Sequence, residues 1–191
     1  MEVLAIIPAR GGSKSIPKKN IYIINNKPLI VYSIEAAKHA KKVSRIIVTT
    51  DDQEIAEVSR ESGAEIPFMR PGNISGDTTP DLPVFEHALT WLKENEQYIP
   101  DVVVHLWPTS PLRKSSDIDE AIELLFTNSD ADSVRSVTTP SQTPFKMWRT
   151  DQDTYLTPIL KKEYTNFFAK NPEPHSLPRQ VLPEIVVQTG Y

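Results

Sequence analysis

Short apolar runs alternate with longer stretches of helical period along the first two thirds of the chain. This is the pattern of a parallel or mostly parallel sheet flanked by helices. Val3 to Ile7 has strand composition, and Arg45 to Thr50 reads as a buried strand. Between them, Pro28 suits the first position of a helix in which Ile30, Val31, Ile34 and Ala37 share one side, closed by Lys41 and Lys42. Asp51-Asp52 is expected to cap a second helix running to about Glu61, with Gly63 as its stop. A short strand over Ala64 to Met69 follows, then a third helix capped by Thr78 or Thr79, with Val84, His87, Ala88 and Trp91 on one face. Asp101 to Trp107 has the near-continuous apolar character of a central strand. Ser116 with Asp119 suits a capping box for a helix reaching Phe126, and Ala131 to Val137 is the next expected strand.

The pattern changes beyond Thr138. Seven of the 17 prolines lie between Pro140 and Pro183, among Phe145, Trp148, Tyr155, Tyr164, Phe167 and Phe168. Such a segment is poor in helix signals yet too aromatic for a disordered linker, so an arm of short strands or loops packed on a partner subunit is expected. Val186 to Tyr191 then looks like a strand entered and cut.

Composition narrows the class. A chain of 191 residues, 39% hydrophobic and 24% charged, can bury a real core as one domain with a small appendage. It has no cysteine, which excludes a disulfide framework, a thiolate metal site and a Cys nucleophile. The start lacks the basic region of a signal peptide and no segment approaches a membrane span, so a cytoplasmic protein is expected.

Charge then singles out one loop. Arg10, Lys14, Lys18, Lys19 and Lys27 fall between Ala9 and Ile30 with no acidic residue among them, in a chain of net charge -4. A local positive field on an acidic protein suits a small polyanion better than a nucleic acid duplex, which needs a broad basic face. Gly11-Gly12 lets successive N–H groups converge on an anion, Ser13 adds a hydroxyl donor, Arg10 a bidentate fork and the lysines mobile point charges. The spacing is not that of a Walker loop. About twenty residues separate the first strand from the first helix, and a connection that long inside a compact domain is usually functional. Two further loops end at strand termini: Arg70 to Pro80, dense in turn formers and hydroxyls, and Pro108-Thr109-Ser110-Pro111-Leu112-Arg113, a rigid turn with two hydroxyls. All three should meet at one edge of a doubly wound sheet, where a nucleotide would sit. His87 and His105 are expected to be structural, one on a helix face and the other in a strand.

The stretch Pro8-Ala9-Arg10-Gly11-Gly12-Ser13-Lys14, followed by Ile16-Pro17-Lys18-Lys19-Asn20, resembles the signature of the acylneuraminate cytidylyltransferase family, with its CMP-N-acetylneuraminate, CMP-legionaminate and CMP-pseudaminate synthetases. Thr50-Asp51-Asp52, the Arg70 to Pro80 block with His87-Ala88-Leu89, the Pro108 to Arg113 hexapeptide, and the Pro144 to Trp148 and Pro178 to Pro183 segments extend the resemblance over nearly the whole chain. It implies an α/β fold with a doubly wound, mostly parallel sheet flanked by helices, of the Rossmann-like nucleotide-diphospho-sugar transferase type, with a small protruding dimerisation arm. The implied division is a nucleotide-binding α/β domain over 1–138, a dimerisation arm over 139–183 and a returning strand of the α/β domain over 184–191.

The implied activity is transfer of CMP from CTP to an acidic nine-carbon (nonulosonic) sugar with release of pyrophosphate. By position, Arg10, Lys14 and Lys19 would be catalytic. Arg10, Gly12, Ser13, Lys14, Lys19, Asn20, Arg70, Asp77 and Ser110 would bind the nucleotide, and Trp107, Arg179 and Gln180 the sugar, in a site shared with a homodimer partner. Mg2+ is the implied cofactor. Trp107 stands where the family generally has a polar residue, and Thr189 where sialic acid enzymes usually carry Asn. The family's aspartate-rich metal segment is expected beyond Tyr191, so the chain reads as a truncated copy; Asp51, Asp52 and Asp77 are conceivable replacement ligands but suit caps better. The other readings are a deoxy-octulosonate cytidylyltransferase, which the Gly-Gly-Ser-Lys loop disfavours, and a nucleotide-binding or assembly protein without turnover.

Overall fold

The structure is a computed structural model that describes residues 1–150, 155–160 and 176–189. Its backbone divides into two units, Met1–Ser136 and Val137–Thr189.

The first unit is built on β1 (Val3–Pro8), which pairs in parallel with β4 (Arg45–Thr49) on one side and β5 (Val102–His105) on the other. Val3, Leu4, Ala5, Ile6 and Ile7 are all fully buried, because alternate side chains of a strand serve opposite faces and here both faces are covered. On one face Val3, Ala5 and Ile7 pack with α1 (Leu29–His39), α2 (Gln53–Glu61) and α4 (Ser115–Thr127), through Ile30, Ile34, Ala37, Ile55, Ile118 and Ile122. On the other, Leu4 and Ile6 meet Phe68 and the Ala88 and Leu92 side of α3 (Asp81–Glu96). Each full burial of an Ile or Leu contributes roughly 2 kcal/mol. The fold is therefore a doubly wound α/β sheet, as expected.

Local signals explain the helix ends. Asp52 is the N-cap of α2 and accepts the Ile55 N–H at 3.0 Å, while Gly63, at φ 93°, stops it in the left-handed conformation that glycine tolerates. Pro28 sits one residue before α1 as its cap rather than inside it. Neither Thr78 nor Thr79 caps α3; Pro80 holds the cap position and Asp81 places a carboxylate in the first turn, where it suits the helix dipole. Asp119 does not serve a capping box. Asp117 accepts the Lys114 N–H at 3.0 Å, and Asp119 instead accepts the Lys41 and Lys42 N–H groups, pinning the end of α1 to α4.

Three strand expectations need correction. β1, not the Asp101 to Trp107 run, is central: among the described residues β5 is an edge of the three-stranded sheet, and Val103 is 36% exposed. Ala64 to Met69 contributes one isolated bridge, Glu65 to Ile47, before Pro67 ends it. Ala131 to Ser136 forms no strand; Asp132 and Ser133 interrupt it, and only Val137–Thr138 (β6) pairs.

The sequence reading also missed a hairpin, β2 (Ile23–Ile24) with β3 (Lys27–Pro28). Asn25 and Asn26 have φ 49° and 63°, the positive pair required by a two-residue hairpin turn, and the Tyr32 hydroxyl donates to the Ile24 carbonyl at 2.6 Å to hold it on α1.

In the second unit, β7 (Trp148–Thr150) pairs antiparallel with β8 (Leu156–Pro158), and β9 (Val187–Gln188) pairs antiparallel with β6. The terminal strand expected to rejoin the α/β sheet thus pairs within this unit. Tyr164, Phe167, Phe168, Gly190 and Tyr191 lie outside the described residues. Among the described residues no helix is long and apolar enough to cross a membrane.

Candidate functional site

A cavity of about 330 Å³ opens at the carboxyl end of β1. The end of β1 and its loop contribute Pro8, Arg10, Gly12, Ser13, Lys19 and Asn20; the stretch before α3 contributes Arg70, Ile74, Gly76, Asp77 and Thr79; α3 gives Asp81 and Val84; and the turn after β5 gives Trp107, Pro108 and Thr109. The three loops meet at one sheet edge, the place a doubly wound fold offers a ligand. One side of the cavity is ionic. The other is formed by Trp107, Pro108 and Val84.

The loop after β1 is clasped to the end of β4. The Gly11 N–H donates to Asp51 Oδ1 at 2.9 Å, and a Cβ on Gly11 would lie 2.7 Å from Asp52 Oδ2 and 2.8 Å from Asp52 Cβ. Glycine is thus required at position 11 by close approach. Its N–H is spent on a carboxylate rather than offered to an anion, whereas Gly12 has open space and lines the cavity. Asn20, almost fully buried, donates from Nδ2 to the Arg10 carbonyl at 2.9 Å and braces the far end of the loop.

The five cations of the loop have separate fates. Lys18 pairs with Glu54, which pushes its pKa up, and Lys27 pairs with Glu35 at 2.5 Å. Arg10 Nη1 and Lys14 Nζ each stand 2.6 Å from a different oxygen of Asp77, whose carboxyl is held below its ordinary pKa by the Lys14 hydrogen bond and by the charge of both cations. Lys19 lines the cavity and has no ion pair among the described residues.

A sixth cation completes the floor. Arg70 is buried and donates to the Thr49 carbonyl and, at 3.2 Å, to Thr49 Oγ1, while its own N–H binds the Thr50 carbonyl at 2.7 Å. Burial draws its pKa down and Arg10 pushes the same way, against the opposing pull of Asp51 and Asp81. The site therefore holds positive charge that an anion would relieve.

On the aromatic side, the Trp107 Nε1–H donates to Asp81 Oδ2 at 3.2 Å, so its donor is spent and the indole offers the cavity an apolar ring. His105 packs edge-on against Phe85 and Trp107, with Nε2 buried 3.9 Å from Asp81; burial pushes its pKa down. The turn that follows is held by Arg113, which donates to Ser33 Oγ at 3.2 Å and the Trp107 carbonyl at 3.3 Å. Ser110 does not line the cavity; its N–H turns back to the Trp107 carbonyl at 3.4 Å. His87 lies outside the cavity lining, edge-on to Phe68.

Arg179 and Gln180 belong to the second unit, in a short 3-10 turn where the Arg179 guanidinium donates to the Pro140 and Ser141 carbonyls at 2.7 and 3.2 Å. Asp81 is a cavity residue absent from the sequence-based expectations, and Thr79, expected as a helix cap, lines the cavity instead. The signal for Asp81 was its place in a first helical turn directly after a turn-rich loop.

This is a doubly wound α/β protein with a cavity lined by cations at the carboxyl end of its central strand. The chain belongs to the cytidylyltransferase family, whose profile matches residues 4–178. It is similar to a pseudaminic acid cytidylyltransferase of Campylobacter jejuni subsp. jejuni, 41% identical over 128 residues that make up 67% of this chain and 55% of the relative. It is also similar to a CMP-N,N'-diacetyllegionaminic acid synthase of Legionella pneumophila subsp. pneumophila, 37% identical over 65% of this chain and 53% of the relative. The chain thus spans about half the length of the curated relatives it matches. Among solved structures, a CMP:2-keto-3-deoxy-manno-octonic acid synthetase complexed with CTP shares the fold, with a TM-score of 0.63 at 17% identity, over 100% of this chain and 72% of the other.

Proposed function

We propose that this chain carries the nucleotide site of a CMP-nonulosonate synthase, which transfers CMP from CTP to an acidic nine-carbon sugar and releases pyrophosphate. The observation that carries the reading is the convergence of Arg10, Lys19 and Arg70 in one cavity at the end of β1, opposite the Trp107 wall. The named activities of the similar relatives support the same class.

In this reading Arg10, Ser13, Lys14 and Lys19 hold the triphosphate, and Asn20 keeps Arg10 in place through its carbonyl. The anomeric hydroxyl oxygen attacks the α-phosphorus and gives up its proton to solvent, the bond to the bridging oxygen breaks with its electron pair going to pyrophosphate, and the cations offset the charge gathering there. Arg70 would face the nucleoside and Trp107 the sugar. A homodimer through the 139–183 arm is part of the proposal, supported by the exposure of Trp148, Tyr155 and Leu156, and so is a cytoplasmic location, where CTP is available.

The described residues alone provide no ready cluster for Mg2+. No three His, Asp or Glu among them come together, and Asp51, Asp52 and Asp77 are each engaged, by the Gly11 N–H, the α2 cap and two cations. No step here runs through a metal.

The test is calorimetric titration of the chain with CTP, UTP, ATP and GTP, with and without magnesium, beside Lys19→Ala. Selective CTP binding that falls at least about tenfold in Lys19→Ala, with stability unchanged within about 0.5 kcal/mol, is expected. Equal binding of all four nucleotides, no binding, or an unaffected variant would overturn the reading.

A further inference from the structure

Asp77 occupies the middle of the cation cluster. One carboxylate oxygen lies 2.6 Å from Arg10 and the other 2.6 Å from Lys14, so both oxygens of Asp77 face cations. It lines the same cavity as Arg10 and Lys19 and stands on an exposed turn just after Gly76. A group held by partly exposed ion pairs on an exposed turn is replaceable in a way that the buried Arg70 contacts are not.

We propose that Asp77 is an internal counter-anion: in the free protein it holds the position between Arg10 and Lys14 that a phosphate group takes on binding, and it sets the charge a ligand must bring to enter. The inference rests on reading this loop as a polyphosphate site. A carboxylate brings one negative charge and two acceptor oxygens, whereas a terminal phosphate brings more charge and three acceptors. The exchange therefore favours polyphosphates, while weakly charged anions fail to dislodge the carboxylate. Lys19, without an acidic partner among the described residues, is open to receive the ligand first.

The experiment is titration of the chain and of Asp77→Asn with inorganic pyrophosphate and with CTP, without metal and with magnesium, at 50 and 500 mM salt. Removing the counter-anion is expected to tighten pyrophosphate binding about fivefold at low salt, the order of effect that two exposed ion pairs allow, and the gain should shrink at high salt. Asp77→Ala should behave likewise, which separates charge from shape. Unchanged or weaker pyrophosphate binding in both variants would overturn the proposal, as would a loss confined to the magnesium series, which would make Asp77 a metal ligand. Tighter pyrophosphate binding without any preference for CTP would uphold the counter-anion and sink the cytidine reading instead.

Discussion

Two of the three loops that wall the cavity are held by different physics. In the loop after β1 the backbone is fixed at Gly11 and Asn20, and the cation side chains are positioned by charge. Arg10, Lys14 and Lys18 are tied to Asp77 and Glu54 through ion pairs whose side chains are about a third to four-fifths exposed. The turn after β5 is positioned from inside: Arg113 is 6% exposed, and Ser33 Oγ, itself fully buried, also donates to the Trp107 carbonyl at 3.1 Å. Exposed ion pairs contribute little and can be exchanged, while buried hydrogen bonds to a charged group are costly to break. One wall can therefore rearrange around an anion, and the other fixes the ring it faces.

The largest effect should come from the buried side. Arg113→Met is expected to lose roughly 2 kcal/mol in urea unfolding, since it strips a charged donor from one buried and one part-buried acceptor, with the same deficit at low and high salt. A loss below about 0.5 kcal/mol would mean that the turn does not depend on Arg113 and would erase the contrast.

A middle-sized effect should follow pH. Burial lowers the pKa of His105 and of His87 from 6.5, with Arg70 adding to the shift at His87. A histidine whose pKa is lower folded than unfolded binds more protons when unfolded, so its contribution is intact above 6.5 and is lost as pH falls through the folded value. Thermal melts between pH 7.5 and 5 should show falling stability, and His105→Phe, which keeps the ring contacts, should lose less over that range. An identical pH dependence in the variant would show that His105 does not titrate with unfolding.

The smallest effect belongs to the ionic wall. Lys18→Ala should leave stability and pyrophosphate binding as they were, because its charge is already spent on Glu54 outside the cavity lining. A large drop in anion affinity would show that Lys18 shares the site with Lys19.

Adjacent lysines with such different expected roles mark how far the sequence could be read. The cation loop, its place after the first strand and the Asp52 and Gly63 signals were legible, because each depends on local chemistry or on strand order. Which acids answer those cations was not, since Glu35, Glu54 and Asp77 arrive from separate elements and only packing brings them close. Counting five positive charges therefore overstated the free field of the loop. The hairpin at Asn25-Asn26 was legible in principle from two asparagines between an apolar pair and Lys-Pro. The edge position of β5 was not, because a continuous apolar run looks the same at a sheet's centre as beside an uncovered flank.

The contact between Gly11 and Asp52 has a consequence for how this protein can vary. With no room for a methyl group between them, positions 11 and 52 act as one unit of change: a side chain at 11 becomes admissible only when residue 52 shrinks, and shrinking it removes the cap of α2. A library that randomises position 11 alone should return glycine, whereas paired randomisation should recover side chains at 11 joined to a smaller residue at 52.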